Sequence, residues 1–588
     1  MTGWDERDAS PMAATATEGT VAPAIPGGTD GVLARAGKSS ALLPLVALAA
    51  CGGGGGTGGG TTSATPAGNA GTPTDTSSST PIVVVTAPPT ATEASRFLAQ
   101  ASMGATRSTI DAVVSRGYDG WLTDQFALPR ATSHWDWLTA NGFDSAKMNS
   151  INGFDPSMWR QMIVEPDQLR QRVGMALLDI LVVGIDQSSD TWRAYAMGAY
   201  VDLLLDNAFG NYRDLLGAVT TSYAMGNFLT YLYNRKANPT TGTQPDENYA
   251  RELMQLFTLG VSQLNMDGTP KLNGGQTIDT YGQADVTGLA RVFTGLVPTS
   301  TDSNTPARLR QPLVMNASLN ETGASTFLGT TVSGGGMAAI SAALDTIFAH
   351  PNVPPFIAKQ LIQRLVTSNP SPGYVTRVAT KFADNGQGVR GDMKAVIRAI
   401  LLDSEARNVP TAATAGKLRE PVLRLTGWAR AFKATSPSNA WLIGDTTNPA
   451  NRLGQAKGHS PSVFNFYRPG YTPPGTNLAS SGLVAPEFQI TNEQSVVGYV
   501  NFMYGLIANG IGDVKADYTD ILTLAADSKA LLDEVNLVLA AGQLSATTLA
   551  SIRAAVDSVS ATAANGPINR VGIAILLTMA SPDYLTLR

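Results

Sequence analysis

Residues 167–183 read DQLRQRVGMALLDILVV, and the spacing of the large apolar side chains in this stretch decides the fold class. Leu169, Val173, Leu177, Ile180 and Leu181 recur at intervals of three and four, which places them on one stripe of a helix rather than one face of a strand. Pro166 is expected in the first turn, where a missing N–H costs nothing. The same period returns in Asn248 to Leu259, with Tyr249, Leu253, Leu256 and Phe257 inward and Gly260 as the stop. It returns again in Pro354 to Thr367 through Ile357, Leu361 and Leu365, and in Asp392 to Leu402 through Val396, Ile397, Ile400 and Leu401. Leu531 to Leu539 continues the pattern, and Ser545 is placed to cap a last segment carrying Leu549, Ile552 and Val556. Gly386, Gly416 and Gly454 punctuate between segments.

Strict alternation of apolar and polar residues does not extend beyond about six positions outside loops, which argues against a sheet protein. No repeat of fixed length is present, so a regular solenoid is not expected. The predicted fold is all-α: an irregular multi-helix bundle with long polar loops, preceded by a disordered tether. Two Gly/Asn/Thr-rich insertions, Ser262 to Thr280 and Pro298 to Gly336, separate helices and are long enough to be either functional or disordered.

The amino-terminal part follows another logic. Arg35 and Lys38 precede a short apolar run, Ala41 to Ala50, that ends in Leu48-Ala49-Ala50-Cys51. About ten apolar residues span roughly 15 Å as a helix, half of a ~30 Å hydrocarbon core, so the run is too short for a stable membrane span and suits a signal peptide. Its end resembles the bacterial lipobox, in which the cysteine carries a diacylglyceryl group and becomes the new amino terminus. A core helix would not run into the glycines of Gly52 to Gly60, so Cys51 is expected to be lipidated rather than packed. Residues before about 31 have no role in such a signal, and translation is expected to begin near Val32 or Leu33. Residues 52–92 are rich in Gly, Thr, Ser, Pro and Ala and are expected to form a flexible tether with a reach of roughly 35 Å. Within it, Pro81 to Thr86 (PIVVVT) reads as an ordered linker piece. The order expected is therefore a signal region at 1–51, the tether at 52–92 and the helical body at 93–588, with an optional division of the body into 93–300 and 337–588.

Composition removes several functions. The 588 residues carry a net charge of -5 and no block of like charge, so the basic footprint of a nucleic-acid binder is missing. One cysteine allows neither an internal disulfide nor a multi-cysteine zinc site, and His134, His350 and His459 lie far apart in sequence. No metal or other cofactor is expected; any metal would rest mainly on oxygen ligands. The G-x-G-x-x-G spelling at Gly386 to Gly391 follows a helical rather than a strand pattern and runs into Asp392, whose charge would repel a phosphate, so it reads as a helix end and linker. No G-x-S-x-G, H-E-x-x-H or Walker A pattern occurs.

Two clusters remain. Glu247, Asn248, Arg251 and Glu252 open an amphipathic helix; the ordinary reading is an i,i+4 ion pair between Glu247 and Arg251, and the functional one is a carboxylate acid/base pair or a set of oxygen ligands. The run Val463-Phe464-Asn465-Phe466-Tyr467-Arg468-Pro469-Gly470-Tyr471 is dense in aromatics. Phe466, Tyr467 and Tyr471 are candidates for a glycan or peptide platform, against a packed turn that buries Phe464 and Phe466.

Eight blocks, taken together, resemble a known bacterial family: RFLAQASMGAT from Arg96, YDGWLTDQFALP from Tyr118, RQRVGMALLDILVV from Arg170, ENYARELMQLFTLGV from Glu247, ADVTGLARVFTGL from Ala284, HPNVPPFIAKQLIQRLVTSNPSPGYVTRVA from His350, GVRGDMKAVIRAILLDSEAR from Gly388 and PSVFNFYRPGY from Pro461. The family is the one called domain of unknown function 1800, and the likeness covers nearly all of the chain after the tether. It implies export, a helical body and a candidate partner, a secreted protein of the family called domain of unknown function 1501, which resembles sulfatases. Members of the family often carry histidines before the T-G-x-x-T-x-L-G segment, whereas Met315 to Asn320 before Thr322-Gly323 has none, which favours a role not built on that position. By resemblance to enteric lipoproteins, Gly52 after the cysteine favours the outer membrane. The functional expectation is a lipid-anchored cell-envelope protein that acts by binding a partner protein or envelope polymer; the alternatives are an envelope hydrolase using Glu247 and Glu252, and a glycan-binding module.

Overall fold

A computed structural model describes residues 87–144, 150–412 and 415–588. Cys51, the signal region, Pro81 to Thr86 and all of the tether but its last six residues lie outside the described residues. The body begins two positions earlier than its sequence suggests. Thr90 caps the helix Ala91–Ala101 by accepting from the Glu93 N–H, and the Glu93 carboxylate accepts from the Thr90 N–H at 2.8 Å, a reciprocal box that satisfies two otherwise unpaired donors.

The segment from Asp167 to Val183 is buried inside the body almost throughout. Its helix spans Gln168–Leu178, with Leu169, Val173 and Leu177 all 0% exposed, and each such burial contributes about 2 kcal/mol. It is shorter than predicted at both ends. Pro166 precedes Asp167, the N-cap residue, and so stands outside the first turn. At the other end Asp179 turns its carboxylate to Lys457 and Asn465, and the chain leaves the helix there. Ile180 to Val183 are buried nonetheless. The apolar stripe thus reported burial correctly and conformation only as far as Leu178.

Other helices fall close to their predicted places: Val353–Leu365, Met393–Leu401 and Ser528–Ala540, with Ser545 capping Ala546–Asp557 by accepting from the Thr548 N–H. The glycine-rich spelling at 386–391 is a linker; Asp384 accepts from the Gly386 and Gly388 N–H groups, and Asp392 caps the following helix. Asn248 to Leu259 differs. An α-helix covers Asn248–Glu252, and a π-helix continues over Leu253–Thr258, where the Thr258 hydroxyl donates to the Leu253 carbonyl.

The two long insertions are ordered. Leu272–Asn273 pairs with Gln276–Thr277, and Ser325–Phe327 pairs with Thr330–Val332, both antiparallel. The second hairpin lies on the helix Gln283–Val292 across Gly288, where a Cβ would come within 1.9 Å of the Thr326 carbonyl oxygen. Gly288→Ala must push the hairpin away, and an expected loss of about 2–3 kcal/mol should appear as a lower thermal midpoint. A midpoint equal to that of the wild type would show that the hairpin is not held against this helix.

The described residues form one compact unit, and early and late segments interleave. Ser95 donates to the Leu537 carbonyl at 2.6 Å, and Arg96 donates to the carbonyls of Ala406, Arg407 and Arg588. Lys417–Leu418 pairs with Thr586–Leu587. Arg213 meets Asp345 at 2.7 Å, across the place where a division of the body was expected. Among the described residues no helix is long and apolar enough to cross a membrane.

Candidate functional site

The nominated carboxylates have different surroundings. Glu247 precedes the short helix, and both of its oxygens are engaged: Arg251 and Gln283 donate to one at 3.0 and 2.8 Å, and the Thr287 hydroxyl donates to the other at 2.7 Å. Asn248 donates to the Thr230 hydroxyl at 2.8 Å. These bonds tie the helix start to the helix Gln283–Val292 and to the preceding loop. Glu252 stands about 140° further round the helix, so the two acids do not share a face. Burial, against the pull of Arg251, raises the Glu252 pKa, and its Oε2 is buried with no hydrogen-bond partner among the described residues. The acids are therefore not brought together as a pair.

The aromatic run is divided as well. Asn465 adopts φ +58° and donates to the Asp179 carboxylate at 2.7 Å, and in the turn so formed Tyr467 is the ring that goes inside, only 5% exposed. Its hydroxyl sits among the charges of Glu420, Asp179 and Glu487. Phe464, Phe466 and Tyr471 are half-buried, with the Arg468 guanidinium 4.6 Å from the centre of the Phe464 ring. A packed turn is what forms, but the side chain it buries is Tyr467 rather than Phe464 or Phe466.

Tyr467 leads to a group of charges that the sequence did not advertise. Leu453 to Ser460 (LGQAKGHS) is buried throughout although it holds a lysine and a histidine. Lys457 donates to Asp179 at 2.7 Å and to Glu420 at 2.6 Å, and Gln455 donates to the same Glu420 oxygen at 2.8 Å. Lys417 meets Glu487 at 2.9 Å and donates to the carbonyls of Gln363 and Arg364. The Arg172 guanidinium approaches Glu420 at 3.9 Å and donates to the Arg364 carbonyl. Burial alone would raise the Glu420 pKa, but Lys457, Lys417 and Arg172 outweigh it and hold the group well below the usual carboxylate range. Burial, only partly offset by Lys457, pushes Asp179 up.

Two residues on, His459 is gripped from both sides: its Nε2 lies 2.8 Å from Asp155 and its Nδ1 2.9 Å from Asp186. Burial pulls the imidazole down, yet the hydrogen bonds and charges of the two carboxylates exceed that effect and hold its pKa at about 9. An imidazolium with both nitrogens engaged is a brace, not a proton acceptor. A serine–histidine contact also exists, between Ser157 and His134 at 2.9 Å, but both residues are 0% exposed, so no substrate can reach it. Among the described residues no three His, Cys, Asp or Glu side chains converge to hold a metal ion.

An open groove lies elsewhere, between the helices Arg193–Asp206 and Tyr212–Thr220 and the turn at 307–312, with a volume of about 380 Å³. Trp135, Asp136, Arg310 and Gln311 line it together with small residues of the two helices. Its wall is fixed, since the Leu313 N–H donates to the Thr221 carbonyl at 2.7 Å and Arg308 meets Asp190 at 2.7 Å. Nothing along the chain signals it, because its parts come from four separate segments.

A helical body with a sealed charge core and an open groove is the class of protein these features define. The chain belongs to the family described as protein of unknown function (DUF1800), whose model matches residues 96–586. No curated protein and no solved structure matches the chain.

Proposed function

We propose that the protein is a lipid-anchored component of the cell envelope that acts by binding rather than by catalysis. Cys51 is the attachment point, the residues between it and the cap at Thr90 set the reach of the body, and the outer membrane is the favoured location. One observation carries the reading: the groove beside Trp135 is open and fixed in shape, whereas both oxygens of Glu247 are already bonded within the chain. A secreted protein of the unknown-function 1501 family is a candidate neighbour. The hydrolase alternative draws on the unpartnered oxygen of Glu252 alone.

A photo-crosslinking residue at position 310 of the full-length protein, in intact envelopes, tests the reading. The expected result is an adduct that is absent when the crosslinker replaces the exposed Lys529 and is lost when Ala199→Trp fills the groove. Equal labelling from both positions would overturn it. So would turnover of glycan, sulfate-ester or peptide substrates by the purified protein that disappears in Glu252→Gln.

A further inference from the structure

We propose that the groove between helices 193–206 and 212–220 is a binding site for a neutral saccharide unit; this rests on the reading of the protein as a binder and names the class of its ligand. Four features of the lining point to a sugar.

The first is an aromatic ring. Trp135 is half-buried, with the Tyr195 ring packed edge-on at 4.7 Å between centres and 74° between planes, and the Arg310 guanidinium lies 4.8 Å from the indole centre. Arg310 is an exposed side chain on the groove wall, so it can move aside and let the C–H face of a pyranose take its place. The second is the floor. Ala196, Ala199, Ala218 and Ala224 leave room that larger side chains would fill, and a groove of about 380 Å³ accommodates roughly one or two sugar rings.

The third is a pair of planar polar groups at the rim. The Asp136 carboxylate and the Gln311 amide line the groove and make no side-chain hydrogen bond among the described residues, so both are available to adjacent hydroxyls. The neighbouring acids are not: Asp202 and Asp206 are both paired with Arg130, and Asp202 also accepts from the His134 and Trp135 N–H groups. The fourth is charge. Asp136, Asp202 and Asp206 outnumber Arg130 and Arg310 by one charge, which disfavours a phosphate, while the indole of Trp135 and the alanine floor suit the apolar face of a sugar better than a cationic peptide. An uncharged ligand with an apolar face and many hydroxyls satisfies all four.

The wall is already in place. Besides the contacts at Leu313 and Arg308, the Trp192 indole N–H donates to the Ser303 carbonyl at 2.9 Å, so binding need not order the 303–313 segment.

Isothermal titration of the full-length chain with maltotetraose, cellotetraose and tetra-N-acetylchitotetraose tests the proposal, with inorganic phosphate and tetralysine as charged probes. Saturable binding of at least one of the three sugars is expected, weakened about tenfold in Trp135→Ala and in Gln311→Ala, and abolished in Ala199→Trp. Gln311 is exposed, so its variant separates loss of contact from loss of folding, which the thermal midpoint of every variant reports. Absence of binding by all three sugars overturns the proposal, as does binding that none of these variants changes, or binding of phosphate or tetralysine in place of the sugars. Groove-dependent crosslinking from position 310 that survives such a result would leave the binding function standing and remove only the saccharide.

Discussion

Replacing Lys457 by methionine is expected to destabilise the protein by about 3–5 kcal/mol at neutral pH, because it strips the counter-charge from two buried carboxylates. The side chains of Lys457, Asp179 and Glu420 are 2%, 3% and 0% exposed, so water cannot replace the ammonium. Without it Glu420 loses the largest of the three charges that hold it down, and the pKa of Asp179, already raised by burial, rises further. Such a group is penalised above its unfolded pKa and relieved as it protonates, so the deficit of the variant should narrow as pH falls from 7 toward 5. Adding Glu420→Gln removes one of the stranded charges and should recover more than half of the loss. Urea denaturation of the single and double variants measures both effects. A deficit below about 1 kcal/mol at pH 7 would mean that Lys457 is not a buried counter-ion.

Raising the pH should cost the wild type about 2 kcal/mol that a His459→Gln variant does not lose. The folded pKa of His459, about 9, exceeds the value near 6.5 of a free imidazole. Stability from this group is therefore complete below about pH 6.5 and disappears as pH climbs through 9. The raw shift corresponds to roughly 3 kcal/mol, and the smaller figure allows for Asp186, half-exposed at 49%, being partly screened by water. Denaturation midpoints at pH 6.0, 7.5 and 9.5 for both proteins supply the check. Parallel curves would show that the imidazolium does not brace Asp155 against Asp186.

Helices with one apolar stripe were legible. The stripe at Leu169, Val173 and Leu177 marks the helix it belongs to, since burial and period coincide there. Ile180 and Leu181 extend the same period and are buried too, but in a chain that has already unwound, and period alone cannot tell one kind of buried residue from the other. The π-helix at Leu253–Thr258 hid for a related reason: one residue of slippage per turn leaves the inward positions apolar.

The charge core was illegible because its members stand at 172, 179, 364, 417, 420, 457 and 487, each of which reads as solvated polar surface on its own. A faint signal existed. LGQAKGHS lacks the helical period, and the small residues between Gln455, Lys457 and His459 allow close packing, but the lysine and histidine themselves argue for exposure, since charges are buried only when paired. The groove left no comparable trace. Trp135, Ala199, Ala218 and Gln311 meet only because four segments pack at one place.

The antiparallel pairing of Lys417–Leu418 with Thr586–Leu587, beside the grip of Arg96 on the Arg588 carbonyl, has a temporal consequence. Until residues 586–588 are in place, the edge at 417–418 is unpaired and Arg96 lacks one of the three carbonyls it binds. The helix Ala91–Ala101 and the edge at 417–418 are thus completed by the same three residues, which couples the two most distant parts of the body in folding.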